Sequence, residues 1–224
     1  MVVTSRRMAD HGPARRQRRT QQQRSAETRA LLLDVTIECL AEVGYARTTA
    51  QVIADRAGVS RGAQLHHFGT KPQLVTAAME HLFERRDREF RDAFARMPPG
   101  VDPIDYGIDL LWRILSGPTG YAYLELVAAA RTDPDLNSGM VELTRRMDEG
   151  VDNTFRELFD AAPGGEGMFD LVWTALFSLL EGLAIEKIVR EDDARVERVV
   201  GAVKQLARLA IVPRAVRELP ARRG

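Results

Sequence analysis

The 224-residue chain predicts an all-α protein of about nine helices, and three observations carry that prediction. Apolar residues recur at spacings of three and four along most of the chain. No strand-type alternation of useful length appears. Pro, Gly, Ser, Thr and Asp fall where helices should start and stop. Hydrophobic residues at 45% and charged residues at 29% exclude wholesale disorder. A single cysteine, Cys39, excludes a disulfide framework and a cysteine-based metal cluster. The polar, Arg-rich N-terminus has no apolar stretch behind it, so no secretory signal is expected. The longest mostly apolar run, Leu171 to Leu180, is half the roughly 20 residues a bilayer demands. A cytoplasmic chain without membrane contact is the expectation.

Taken in order, residues 1–24 read as a disordered basic arm, with Arg6, Arg7, Arg15, Arg16, Arg18, Arg19 and Arg24 against Asp10. The arm is either a solubilising extension or a segment that touches phosphate or the minor groove. The first helix is expected from an N-cap at Ser25 to a stop at Gly44. Its stripe is Leu32, Leu33, Thr36, Ile37, Leu40 and Val43. Thr49 caps a short second helix to about Ala57, and Gly58-Val59 makes a tight turn. Ser60 caps a third helix to about Phe68. Thr70 caps a long fourth one that opens with Lys71-Pro72 and runs to about Arg96. Five more helices follow, over Asp102–Leu115, Tyr121–Arg131, Asp133–Asp160, Met168–Val189 and Asp193 to just before Pro213. A frayed tail covers 214–224.

Charge divides the chain. Residues 1–90 carry 15 Lys/Arg against 10 Asp/Glu, and the remainder carries 17 against 22. A basic first part beside an acidic second part implies different partners for the two.

The stretch Thr48–Phe68, TTAQVIADRAGVSRGAQLHHF, is a helix–turn–helix pattern. Val52, Ile53, Val59 and Leu65 are expected to pack between its two helices. The second helix would then present Ser60, Arg61, Gly62 and Gln64 to a major groove about 12 Å wide. Arg61 matches the acceptor pair of guanine, Gln64 the donor–acceptor pair of adenine, and Gly62 admits close backbone approach. The helix N-termini at Thr49 and Thr70, the latter beside Lys71, are ready anion sites. Adjacent His66 and His67 diverge by about 100° on a helix and make no metal site.

On these residues, LLLDVTIECLAEVGYARTTAQVIADRAGVSRGAQLHHFGTKPQLV, the block from about Arg29 to Leu82 resembles the tetracycline-repressor (TetR) family. The resemblance implies a nine-helix protomer. Helices 1–3 would bind double-stranded operator DNA over residues 25–71. A ligand-binding and dimerisation domain would occupy 72–213, with helices 5–7 around the ligand and helices 8 and 9 in a homodimer. It carries DNA contact onto Thr49, Gln51, Ser60, Arg61, Gly62, Gln64, His66 and Lys71. One departure stands out: many members have an aromatic residue, usually Tyr, touching phosphate where this chain has Leu65. Leu65 cannot donate that hydrogen bond. It can pack inward, meet a thymine methyl, or leave phosphate to His66 and Lys71.

Nine of the 14 aromatics lie beyond residue 100. Singly they are core residues; together they suit an apolar cavity for a small effector. Trp112, Tyr123, Trp173 and Phe177 are the candidate ligand contacts, with Arg113, Glu125 and Glu181 as polar partners. The stripes Leu171, Leu176, Leu179, Leu180, Leu183 and Val196, Val199, Val200, Val203, Leu206, Ala210 suit an isologous four-helix interface. No catalytic constellation, cofactor loop or metal spacing stands out. The expected function is a dimeric, ligand-released transcriptional repressor. The alternatives are an all-α small-molecule-binding protein or enzyme with a structural helix–turn–helix, and an architectural DNA protein.

Overall fold

The computed structural model describes residues 21–163, 167 and 169–214. The basic arm over 1–20, Met168 and the tail beyond 214 lie outside the described residues. Nine α-helices are present among the described residues: α1 Gln21–Arg47, α2 Ala50–Ala57, α3 Arg61–His67, α4 Lys71–Ala95, α5 Pro103–Leu115, α6 Pro118–Ala130, α7 Pro134–Leu158, α8 Phe169–Val189 and α9 Asp193–Ala210.

Most boundaries follow from caps. The side chains of Thr49, Ser60, Thr70, Asp102, Asp133 and Asp192 each accept a backbone N–H in the first turn of the following helix. Thr70 and Gln73 complete a reciprocal capping box. Proline stands in the first turn of α4, α5, α6 and α7, where a missing N–H costs nothing. Gly58 closes α2 with φ +64°, a left-handed conformation suited to glycine.

Four expectations need correction. Helix α1 starts at Gln21, so residues 21–24 belong to a helix and Ser25 caps nothing; the Gln-Gln-Gln-Arg run consists of good helix formers. Helix α6 starts at Pro118 rather than Tyr121. Asp192, not Asp193, caps α9. Helix α7 ends at Leu158 because Phe159 turns extended and sends its ring against Phe94, 5.7 Å between centroids. Phe159–Ala161 (β1) then pairs antiparallel with Ile211–Pro213 (β2), with Phe159 opposite Pro213 and Ala161 opposite Ile211. This short ribbon ties the end of α7 to the end of α9.

Two apolar clusters fill the interior. The first joins α1, α2, Phe68 and the first half of α4 to Ala122, Leu126 and Ala130 of α6 and to Leu136, Met140, Leu143 and Met147 of α7. It runs across the boundary expected between residues 71 and 72. The second joins Phe94 and α5 to the end of α7, α8, α9 and Ile211.

The α8 and α9 stripes split. Leu176, Leu180, Leu183, Val196, Val200 and Val203 are buried in the protomer's own core. Leu171, Leu179, Ile185, Ile188, Leu206 and Leu209 are exposed, and open space faces Gly182 and Gly201.

Candidate nucleic-acid interface and effector cavity

Helices α2 and α3 are held by Ile53, Ala54 and Phe68, all buried. The outer face of α3 carries Arg61, Gly62, Leu65 and His66, each exposed. At about 100° per residue these four span an arc of about 140°. Ser60 and Thr49 sit at the helix starts, both exposed, their hydroxyls accepting from Ala63 N at 3.2 Å and Val52 N at 3.2 Å. Gln51 is exposed on α2 and donates to Asp55 Oδ1 at 2.7 Å.

Two of the residues expected to contact DNA are held by the protein itself. Gln64 is only 1% exposed and its Oε1 has no hydrogen-bond partner, so it does not reach the outer surface. Its position on the helix lies opposite Gly62 and His66. The residue expected to pack inward, Leu65, is 47% exposed, and Val52 is exposed with it. The second is Lys71. Its ammonium donates to Tyr45 O at 2.7 Å and lies 3.7 Å from the centre of the Tyr45 ring. It is half-buried at this junction, and burial lowers its pKa despite Asp133 and Glu125 nearby.

Tyr45 is the hub of the junction between α1 and the distal helices. The regular part of α1 ends at Gly44, φ +76°. Tyr45 N then donates to Glu125 Oε1 of α6 at 2.7 Å, and Tyr45 Oη donates to Asp133 Oδ2 at 3.1 Å. Burial and the Asp133 carboxylate push the phenol up to about 12. Sequence reasoning missed this junction.

An apolar cavity of about 340 Å³ lies farther along α4, inside the range of roughly 300–1,000 Å³ usual for small-molecule sites. Phe83 and Phe90 of α4, Ile108 and Leu111 of α5, Met147 and Phe155 of α7, and Trp173 and Phe177 of α8 line it. Arg86, Asp87, Arg146 and Thr154 supply polar groups, and Thr154 Oγ1 donates to Asp87 Oδ1 at 2.6 Å. Arg86 Nε is buried without a hydrogen-bond partner. Trp173 stacks on Phe155 at 4.4 Å between centroids.

Of the four candidate ligand contacts, Trp173 and Phe177 line this cavity, and Trp112 and Tyr123 do not. Trp112 faces Lys187, whose Nζ is 5.9 Å from the ring centre. Tyr123 packs edge-on behind Phe83, 5.6 Å between centroids, and bonds Thr144. No α6 residue lines the cavity; α4 and α8 take its place beside α5 and α7. Arg113 bonds Asp109 O, and Glu181 faces Asp148, burial and that neighbour raising its pKa. Among the described residues no group of His, Cys, Asp and Glu could hold a metal ion, and no helix is long and apolar enough to cross a membrane.

The sequence profile of the family described as bacterial regulatory proteins, tetR family, matches residues 32–78. The transcriptional regulator CymR of Pseudomonas putida is 32% identical over 192 residues, covering 85% of this chain and 94% of the relative. The transcriptional repressor Rv1474c of Mycobacterium tuberculosis is 27% identical over 188 residues, covering 82% and 94%. Among solved structures, the multidrug binding protein EbrR complexed with proflavin superposes with a TM-score of 0.55 at 20% identity, covering 80% of this chain and 99% of that one. A helix–turn–helix whose α3 presents Arg61 outward, set on an all-α body and matched at this identity across nearly the whole of a curated regulator, places the chain in one group: it belongs to the TetR family of bacterial transcriptional regulators.

Proposed function

We propose that the protein is a homodimeric repressor that binds a near-palindromic operator and is released from it by a small lipophilic effector held in the α4–α5–α7–α8 cavity. The single observation that carries this reading is the reach of α4. The helix begins four residues after α3 and lines the cavity from Glu80 to Phe90. Lys71 to Phe90 spans about 28 Å at 1.5 Å per residue. One rigid rod thus touches both the effector site and the reading head.

The exposed leucines and isoleucines of α8 and α9 support the dimer, since a patch of this kind marks an interaction surface. A dimer would set two copies of α3 about 34–36 Å apart on one face of the duplex. An effector that fits the cavity better in the released conformation moves the population toward release. The direct contact with α4 makes the route shorter than one through helices 5–7. The repressor and multidrug-binding relatives favour a negative regulator with an aromatic effector, acting in the cytoplasm where the DNA is. The test is a panel of flat lipophilic compounds screened for release of a duplex selected from a random pool. Compounds that stabilise the protein against heat should also lower its operator affinity. A panel in which heat stabilisation and operator affinity do not co-vary overturns the reading.

A further inference from the structure

We propose that Leu65 reads thymine: its side chain packs on the 5-methyl group of a thymine in each operator half-site. This rests on the reading of α3 as the base-contacting helix and adds which base it prefers and through which atoms.

Leu65 lies inside the exposed arc, between Arg61 and Gly62, so whatever α3 meets, Leu65 meets. It is 47% exposed on a seven-residue helix whose inner face is already filled by Gln64. Leucine can neither donate to a phosphate nor pair with a base edge. The major groove offers one apolar group, the thymine methyl, and side chains of this character recognise it.

Gly62 is an independent second observation. Its φ is not positive, and a β-carbon there would meet only Ser60 Oγ at 3.9 Å. Nothing inside the fold requires glycine at this second position of α3, where alanine would be the better helix former. A bare backbone beside Leu65 lets the helix sink toward the bases and brings a side chain of leucine length to the methyl layer. With Gln64 turned inward, adenine recognition by its amide is lost. Arg61 and Leu65 remain, a donor fork for guanine and an apolar contact for thymine.

The test uses the full chain and an operator selected by the wild-type protein from random duplexes. Each thymine of the half-sites is replaced symmetrically by deoxyuridine, which removes only the methyl group, and affinity is read by fluorescence anisotropy. For the wild type, one position should lose about four-fold per half-site, the worth of one buried methyl. For Leu65→Ala and for Leu65→Gln that penalty should vanish, with the same melting temperature as the wild type. Equal penalties in wild type and both variants, or no sensitive position in the wild type, overturn the proposal. Absence of any selectable duplex overturns the underlying reading and the thymine contact with it. Retained guanine preference without methyl sensitivity overturns the thymine contact alone.

Discussion

The Glu125 carboxylate accepts the backbone N–H of Tyr45 at 2.7 Å, across 80 residues of sequence. It does so where α1 gives way to the helix–turn–helix, and a β-carbon on Gly44 would stand 2.5 Å from Glu125 Oε2. Helix α6 thus holds the reading head at its hinge, while α4 holds it from the recognition helix. Lys71 and Asp133 close the same junction through Tyr45 O and Tyr45 Oη. A shift of α4 driven from the cavity must therefore work against this junction.

Substitution at the junction is expected to cost stability. Gly44→Ala places a β-carbon at φ +76°, ψ 173°, a region essentially reserved for glycine, at a cost of about 1–3 kcal/mol, and crowds Glu125 as well. Glu125→Ala removes a charge-assisted hydrogen bond from a partly exposed site, about 1 kcal/mol. Thermal unfolding should show both losses, with Gly44→Ala the larger. Glu125→Ala should also change the factor by which an effector lowers operator affinity, because the head is less firmly held. By linkage the operator must lower effector affinity by the same altered factor.

Gln64 and Arg61 should behave oppositely. Gln64→Leu replaces a buried amide whose Oε1 lacks a partner by an apolar group of similar size. Such an exchange is near neutral or stabilising, and base preference should stay unchanged. Arg61→Ala leaves the melting temperature alone and is expected to cost about 1–3 kcal/mol of specific binding. Site selection and thermal melting on both variants check this pair.

Filling the cavity should separate DNA binding from response. Gly150 lines the cavity from within α7, and open space faces it. Gly150→Leu places a side chain in that space and relieves a helical glycine, a gain of up to about 1 kcal/mol. The variant should melt higher, keep operator affinity and ignore effectors that release the wild type.

Glu181 predicts a pH dependence. Burial and the neighbouring Asp148 carboxylate raise its pKa in the folded protein. Between the ordinary glutamate range and that raised value, the unfolded chain has lost the proton and the folded chain keeps it. The folded state binds more protons there, so this group's contribution to stability falls as pH rises through the window. Glu181→Gln removes that slope. Its melting temperature should exceed the wild type's at neutral pH, and the excess should shrink as pH drops below the ordinary glutamate range.

How far the sequence reaches depends on how local the signal is. The starts of α5 and α7 are legible because Asp102-Pro103 and Asp133-Pro134 write the cap and the first turn side by side. Helix α3 is legible as a helix, through Ser60 and Gly58, but not in its rotation. Seven residues hold too few apolar positions to fix the phase, so Gln64 and Leu65 exchange faces. The β1–β2 ribbon escapes because three residues carry no readable alternation. The Tyr45–Glu125 bond escapes because its partners are distant in the chain and each looks like an ordinary surface residue. Trp112 and Tyr123 show the same limit: Tyr123 joins the first cluster and Trp112 the second, beside Trp173, yet neither lines the cavity, because an aromatic in a helix announces burial and not which wall it faces.

Selection of bound duplexes from a random pool, followed by footprinting of the winner, tests the central claim most directly. The expected result is a near-palindrome protected over two half-sites one helical turn apart, about 34–36 Å, with the contacts at each half-site lost in Arg61→Ala. A pool that stays random through repeated rounds at low salt, where every phosphate contact is favoured, contradicts it.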